Sequence, residues 1–216
     1  MTKPSQILRL SSSKRGSRRV TVYQWETVAV RVYDDAGTAL KVADLFQDDK
    51  LTIQIKERIL LRLLFVDPVA VCREVPDFDA FIRSVLWSVC GLDVDGTHRK
   101  EYGKKVMDWK QDDERIRASL YATYGKSFDE LKQEFPLSEL CSLIGLVPHD
   151  TPMGMALYYR TAKPPKATKH NQEQVREFNR MRRFYALKKG TNSDEFKNMN
   201  QAATAAFSAL RGGIHA

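Results

Sequence analysis

A chain of 216 residues with 43% hydrophobic residues can bury a real core, as one large domain or as a compact body with extended ends. Its longest uncharged apolar run falls far short of the ~18–20 residues that span a bilayer, and no apolar segment follows the basic residues at the N-terminus, so a soluble, unsecreted chain without a membrane partner is expected. Cys72, Cys90 and Cys141 stand far apart with no CxxC pair, which argues against a disulfide framework or a zinc site. They are expected as small buried hydrophobes in a reducing compartment.

The net charge of +8 is unevenly placed. Residues 1–19 hold six basic and no acidic side chains, and residues 160–190 hold ten basic and two acidic, so the rest of the chain must sum to −6. Two basic segments are laid on a mildly acidic body.

In chain order, residues 1–19 are polar, Ser-rich and basic, with too little apolar surface to offset the entropy of ordering, and predict a flexible basic arm. VTVYQWETVAVRVY then alternates, with Val20, Val22 and Gln24 on one parity and Val28, Val30 and Val32 on another, predicting a β-hairpin that turns near Gln24 to Thr27. Leu40, Val42, Ala43, Leu45 and Phe46 fit a short helix, and Thr52 can cap a second that carries Ile55, Ile59, Leu60, Leu63 and Leu64 and stops at Asp67-Pro68. PDFDAFIRSVLWSVCG predicts a third helix, started by Pro76-Asp77 and closed by Gly91.

The spacing of Val106, Trp109, Ile116, Leu120 and Tyr124 predicts the longest helix, from about Lys104 to Tyr124, with Asp113 inside its stripe and in need of a buried partner. Further helices are predicted over about 137–146, 152–159 and 171–187, with a weaker Ala-rich one over about 193–210. The organisation expected is a 1–19 arm, a 20–160 helical core opened by the hairpin, a 161–190 Pro-Pro spacer with a basic amphipathic helix, and a 191–216 weakly helical tail. The fold class is mainly α: a compact helical domain with a small N-terminal β-hairpin and basic terminal arms.

No constellation for catalysis stands out. GLDVDGTHRK offers Asp93 and Asp95 as the start of a calcium loop, but His98 stands where glycine is needed and Lys104 where a bidentate Glu is required. Read as a phosphate loop, it has Thr97 where lysine must reach the phosphates. The acid pairs Asp34-Asp35, Asp48-Asp49 and Asp112-Asp113 point apart, as neighbours on a helix or strand do, and are expected as solvated or capping groups. His98, His149, His170 and His215 show no metal-ligand spacing. A non-enzyme without cofactor or metal is expected.

In QEQVREFNRMRRFYALKK, Val175, Phe178, Met181 and Phe184 or Tyr185 recur at helical spacing. They define an amphipathic helix that either docks on a core or partner helix or, through its cations and aromatics, binds nucleic acid. In TPMGMALYYRTAKPP, Thr151 can cap and Pro152 can open a helix, while Gly154 and Ala156 are small enough for close backbone approach. Tyr158 and Tyr159 point to different faces, Arg160 is expected to reach outward, and Pro164-Pro165 to project the basic helix away as a detachable arm.

Three stretches together carry a resemblance: ALKVADLFQDDKLTIQIKERILLRLLF, GKKVMDWKQDDERIRASLYATYG, and DTPMGMALYYRTAKPP with the basic helix after it. Over roughly residues 22–190 the chain resembles a family of small tail-assembly proteins of long-tailed bacteriophages. The resemblance implies a non-catalytic chaperone in the host cell cytoplasm that keeps the tape measure protein soluble until tail-tube subunits polymerise around it. It also implies absence from the finished particle. Candidate partner-binding residues are Trp109, Met153, Met155, Tyr158, Tyr159, Arg160, Arg176, Arg180, Arg182 and Arg183, with a core role the competing reading for each aromatic. The tail-tube protein and a second copy of the chain are further candidate partners. A nucleic-acid-binding protein and a structural particle component are the alternatives.

Overall fold

A computed structural model describes residues 7–94 and 105–188. Of these, 7–94 and 129–140 form one compact unit, and 105–128 and 141–188 form a second. Among the described residues the secondary structure is three strands and nine helices, a mainly α chain with a small N-terminal sheet.

The first unit opens with an antiparallel sheet in the order β1-β2-β3, made by β1 (Leu8–Arg15), β2 (Arg18–Trp25) and β3 (Val28–Tyr33). Strands β2 and β3 turn at Glu26-Thr27, inside the expected window, with Glu26 at φ 50°. On β2 the buried parity is Thr21, Tyr23 and Trp25, while on the valine parity Val20 is buried and Val22 half-buried. Thr21, Tyr23 and Trp25 pair with Val32, Val30 and Val28, and the buried side of β3 is set by Val30 and Val32. Register with β3, not the apolarity of Val22, decides which parity faces inward.

The expected flexible arm is ordered from Leu8 onward. Its backbone pairs with β2 through a two-residue turn at Gly16, whose φ of 63° suits a residue without Cβ. All eight β1 side chains are exposed, so backbone hydrogen bonding rather than apolar burial holds this strand. Residues 1–6 lie outside the described residues.

Four helices follow in this unit: α1 (Ala36–Gln47), α2 (Ile53–Leu64), α3 (Pro68–Glu74) and α4 (Phe78–Cys90). Helix α1 starts four residues before the expected apolar run because Asp35 caps it, accepting from the Thr38 amide at 2.7 Å. Asp67-Pro68 ends α2 and also starts α3, with Asp67 capping Ala70 and Pro68 in the first turn, a helix the sequence reading did not foresee. Asp77 and Gly91 bound α4 as expected, Gly91 with φ 66°.

The core forms where α1, α2, α4 and the sheet meet. Trp25 packs edge-on to Phe81 at 5.5 Å between ring centres, Phe65 stacks on Phe81 at 5.7 Å, and the Trp25 indole donates to the Pro76 carbonyl at 2.9 Å. Beside it runs a polar seam. Arg18 donates to Thr38 at 2.6 Å and to the Leu63 carbonyl at 3.0 Å, faces Asp35 at 3.4 Å, and lies 3.5 Å over the Tyr33 ring. Asp34 is buried and accepts from the Thr21 hydroxyl at 2.8 Å. Burial raises its carboxyl pKa, which the Thr21 bond and the Arg9 charge offset only in part. Asp34 is thus a buried acid rather than the solvated or capping group expected, whereas Asp35 is a cap. The 129–140 segment joins this unit through the Ala36 amide, which donates to the Phe135 carbonyl at 2.8 Å.

Helices α6 (Phe128–Glu134) and α7 (Leu137–Gly145) cross the division between the units, and α6 was not anticipated. The second unit contains α5 (Asp113–Tyr124), α8 (Pro152–Thr161) and α9 (Gln172–Tyr185), with α5 packed on α8 and α8 on α9. Its compact body therefore takes in the basic helix, and the unit boundaries do not follow the expected core of 20–160 with a separate 161–190 segment. The expected tail over 191–216 and most of GLDVDGTHRK lie outside the described residues. Of the cysteines, Cys90 is buried as expected, while Cys72 and Cys141 are exposed.

Phe81 is fully buried and is gripped by two aromatic neighbours, so Phe81→Ala is expected to destabilise the protein by about 3–5 kcal/mol, read from chemical denaturation. A loss below about 1 kcal/mol would show that this aromatic cluster is not the centre of the core.

Candidate interaction surface

The stretch before α5 shows why the predicted long helix is short. The Asp108 carboxylate accepts from the amides of Lys110 at 3.0 Å and Gln111 at 2.7 Å, and the Asp108 amide donates to the Asp112 carboxylate at 3.0 Å. These side-chain bonds fold residues 108–112 into a capped turn, and the helix begins only at Asp113. Asp113 is not the buried acid: it is exposed and paired with Arg117 at 2.8 Å. The buried acid is its neighbour Asp112.

Arg160, near the end of α8, meets Asp112 with both ends of its guanidinium, at 2.7 and 2.8 Å, in a fork-to-fork pair. The same guanidinium donates to the Tyr185 carbonyl at the end of α9, at 2.6 Å, and to the Val106 carbonyl at 2.9 Å. Arg115 adds a bond to Asp112 at 2.9 Å. One buried side chain thus ties the 105–112 turn, α8 and α9 together. Burial alone would raise the Asp112 carboxyl, but the bonds from Arg160, the Asp108 amide and Arg115 outweigh it and hold the pKa below the usual carboxylate value.

Helix α8 is set by its first turn. The Thr151 hydroxyl accepts from the Gly154 amide at 3.2 Å and donates to the Pro148 carbonyl at 2.7 Å, and the Met153 amide donates to Ser119 of α5 at 2.8 Å. A Cβ on Gly154 would fall 2.0 Å from the Pro148 carbonyl oxygen. The close approach that a small residue permits is therefore to the preceding turn. Outward from this anchor runs an aromatic ladder. Tyr159 stacks on Tyr185 at 5.6 Å and tilts against Phe178 at 5.5 Å, while Tyr158 meets His149 and Phe178 edge-on. The Tyr185 hydroxyl contacts the Met155 sulfur at 3.8 Å.

These contacts sort the expected binding residues. Met153 is wholly buried, Met155 and Tyr159 are half-buried in the α8–α9 joint, and Trp109 is half-buried and stacked on Phe128 at 6.2 Å. Arg160 turns inward, not outward, because Asp112 and two backbone carbonyls accept four hydrogen bonds from it in a buried site. The basic helix is not projected away by Pro164-Pro165: Phe178 and Tyr185 bury against α8, so α9 is docked. On the open side, Tyr158 is 44% and Phe184 68% exposed. Exposed Arg176 and Arg180 pair with Glu173 at 3.8 Å and Glu177 at 2.7 Å, Arg183 is exposed, and Arg182 is half-buried. Sequence reasoning missed Asp112, whose spacing of four from Ile116 and eight from Leu120 marked it as sharing their buried face. Among the described residues no His, Cys, Asp and Glu cluster could hold a metal ion, and no helix is long and apolar enough to cross a membrane.

Arg160→Ala leaves Asp112 buried without its main partner and should destabilise the protein by about 3–5 kcal/mol. Because the folded Asp112 pKa lies below the unfolded value of about 3.9, this contribution is present above about pH 4 and lost on further acidification. The gap between wild type and variant in denaturation midpoint is expected to hold from neutral pH to about pH 4 and to close below it. Gly154→Ala, which must push the Pro148 backbone aside, should cost about 1–3 kcal/mol, and an unchanged melting temperature would show that this turn yields freely.

Comparison with curated proteins and with solved structures gives no match. The family described as Bacteriophage Gp15 protein matches residues 19–187, a span that takes in β2 from its second residue, β3 and the nine helices of the described residues. The chain belongs to the bacteriophage Gp15 protein family.

Proposed function

We propose that this phage protein is a non-catalytic tail-assembly chaperone of the host cell cytoplasm that binds the tape measure protein and keeps it soluble until the tail tube forms around it. The observation that carries the reading is the family match over residues 19–187, which spans the three stretches that resemble tail-assembly proteins. The second unit supports it in kind. A holdase for a long helical client needs exposed apolar contacts on a firm support, and Tyr158 and Phe184 stand open on helices locked by Arg160.

The test is co-expression of the tagged chain with the long helical protein of the same phage, followed by affinity capture and washing. A soluble complex retained between about 50 and 200 mM salt is expected, since apolar contacts change little over that range, whereas phosphate-driven binding falls steeply. An insoluble client together with nuclease-sensitive material on the tagged chain would replace this reading with nucleic-acid binding. Recovery of the chain at fixed copy number in purified virions would instead make it a particle component.

A further inference from the structure

The inward side of α9 is accounted for by Phe178 and Tyr185, but its outward side is not. Arg176, Arg180 and Phe184 follow one another at four-residue spacing and share a face, with Glu173, Glu177 and Arg183 beside them. Phe184 is 68% exposed, and its ring is held edge-on to Tyr185 at 5.0 Å, so it stands on a buried neighbour rather than swinging free. Charge along this face is graded. Glu173 and Glu177 sit toward the start of the helix, each paired with an arginine one turn on. Arg182, Arg183 and Lys188 gather at its end, and among the described residues no carboxylate stands within ion-pair distance of them.

We infer that the outward face of α9 is a docking site for an acidic amphipathic helix of a partner protein, seated with an apolar residue on Phe184 and carboxylates against Arg183 and Lys188. The inference rests on the reading of this unit as a client-binding surface and names the chemistry of the client segment. A helix suits the site because the anchors recur at a helical interval along about 15 Å of α9. Acidity follows from the unneutralised cations around the apolar anchor. An antiparallel course follows from the gradient, because a partner helix with acids in its first turns then lays them on the basic end of α9 and keeps them away from Glu173 and Glu177. The same two glutamates argue against nucleic acid as the occupant, since both lie exposed on the face that a phosphate backbone would have to follow.

The experiment uses the full chain and fluorescein-labelled peptides of about 18 residues with leucines at i, i+3, i+4 and i+7. One peptide carries Glu at the flanking positions, a second carries Lys there, and a third keeps the Glu content but has its leucine spacing scrambled. Fluorescence anisotropy at moderate salt should show the Glu helix binding at least about tenfold tighter than either control. Phe184→Ser and Arg183→Glu, both at exposed positions, should each weaken that binding by about tenfold while leaving circular dichroism and melting temperature unchanged. Equal binding of the Glu and scrambled peptides, or no loss in either variant, overturns the inference. So does a single-stranded oligonucleotide that displaces the Glu peptide at lower concentration. Capture of the tape measure client by Phe184→Ser and Arg183→Glu as well as by wild type would overturn this site and leave the chaperone reading standing. Failure of the wild-type chain to capture that client, with the peptide result as expected, would sink the chaperone reading and keep the site.

Discussion

The second unit depends on one buried cation. Arg160 reaches Asp112, the Val106 carbonyl and the Tyr185 carbonyl at once, so three stretches far apart in sequence are fixed by the planar fork of a single guanidinium. A buried ion pair is a costly device, because desolvation of both charges offsets much of their attraction. What it contributes is geometry: an arginine fork accepts few arrangements of partners. The 105–112 turn, α8 and the end of α9 can therefore meet in one way. Met153 of α8 and Ile116 and Leu120 of α5 are buried where α5 packs on α8, and the clasp sets where α9 closes on α8.

The first unit has a comparable knot of different character. Arg18 is held by Thr38, the Leu63 carbonyl, Asp35 and the face of Tyr33, which joins the sheet to α1 and α2. Here the neighbouring core around Trp25, Phe65 and Phe81 carries most of the stabilisation, since three large rings bury far more apolar area than the knot does. The polar seam orders the edges of that core. Asp34, buried beside the Thr21 and Tyr23 hydroxyls with its arginines at 3.8 and 4.0 Å, has its ionisation disfavoured by burial.

Much of this was legible from local chemistry. Asp77 with Gly91, and Thr151 with Pro152, are punctuation that acts within a few residues, and the helices begin and end where those signals stand. The mainly α class followed from helical spacing over most of the chain. The failures share a cause: each was decided by a partner distant in sequence. Residues 8–15 look like an arm until β2 supplies hydrogen bonds. The alternation of β2 did not say which parity is buried, because its pairing with Val30 and Val32 fixes that. Arg160 looked like a surface cation because Asp112 lies 48 residues away. For the candidate surface, the sequence pointed to α8 and α9 but not to which of their faces the fold already uses.

That sorting changes what the basic composition means. The chain has a net charge of +8, but several of its arginines are committed inside the fold. Arg160 and Arg18 are bound within their units, Arg9 and Arg19 face Asp34, and Arg176 and Arg180 are matched by glutamates on their own helix. The cations of α9 left without a carboxylate partner among the described residues cluster at its C-terminal end beside the exposed Phe184. A surface built to follow phosphates would spread unpaired cations along its length. In the docking site proposed for α9, a short cationic end stands beside an apolar anchor, so that a desolvated ring would supply affinity and the surrounding charges would choose the partner and its direction.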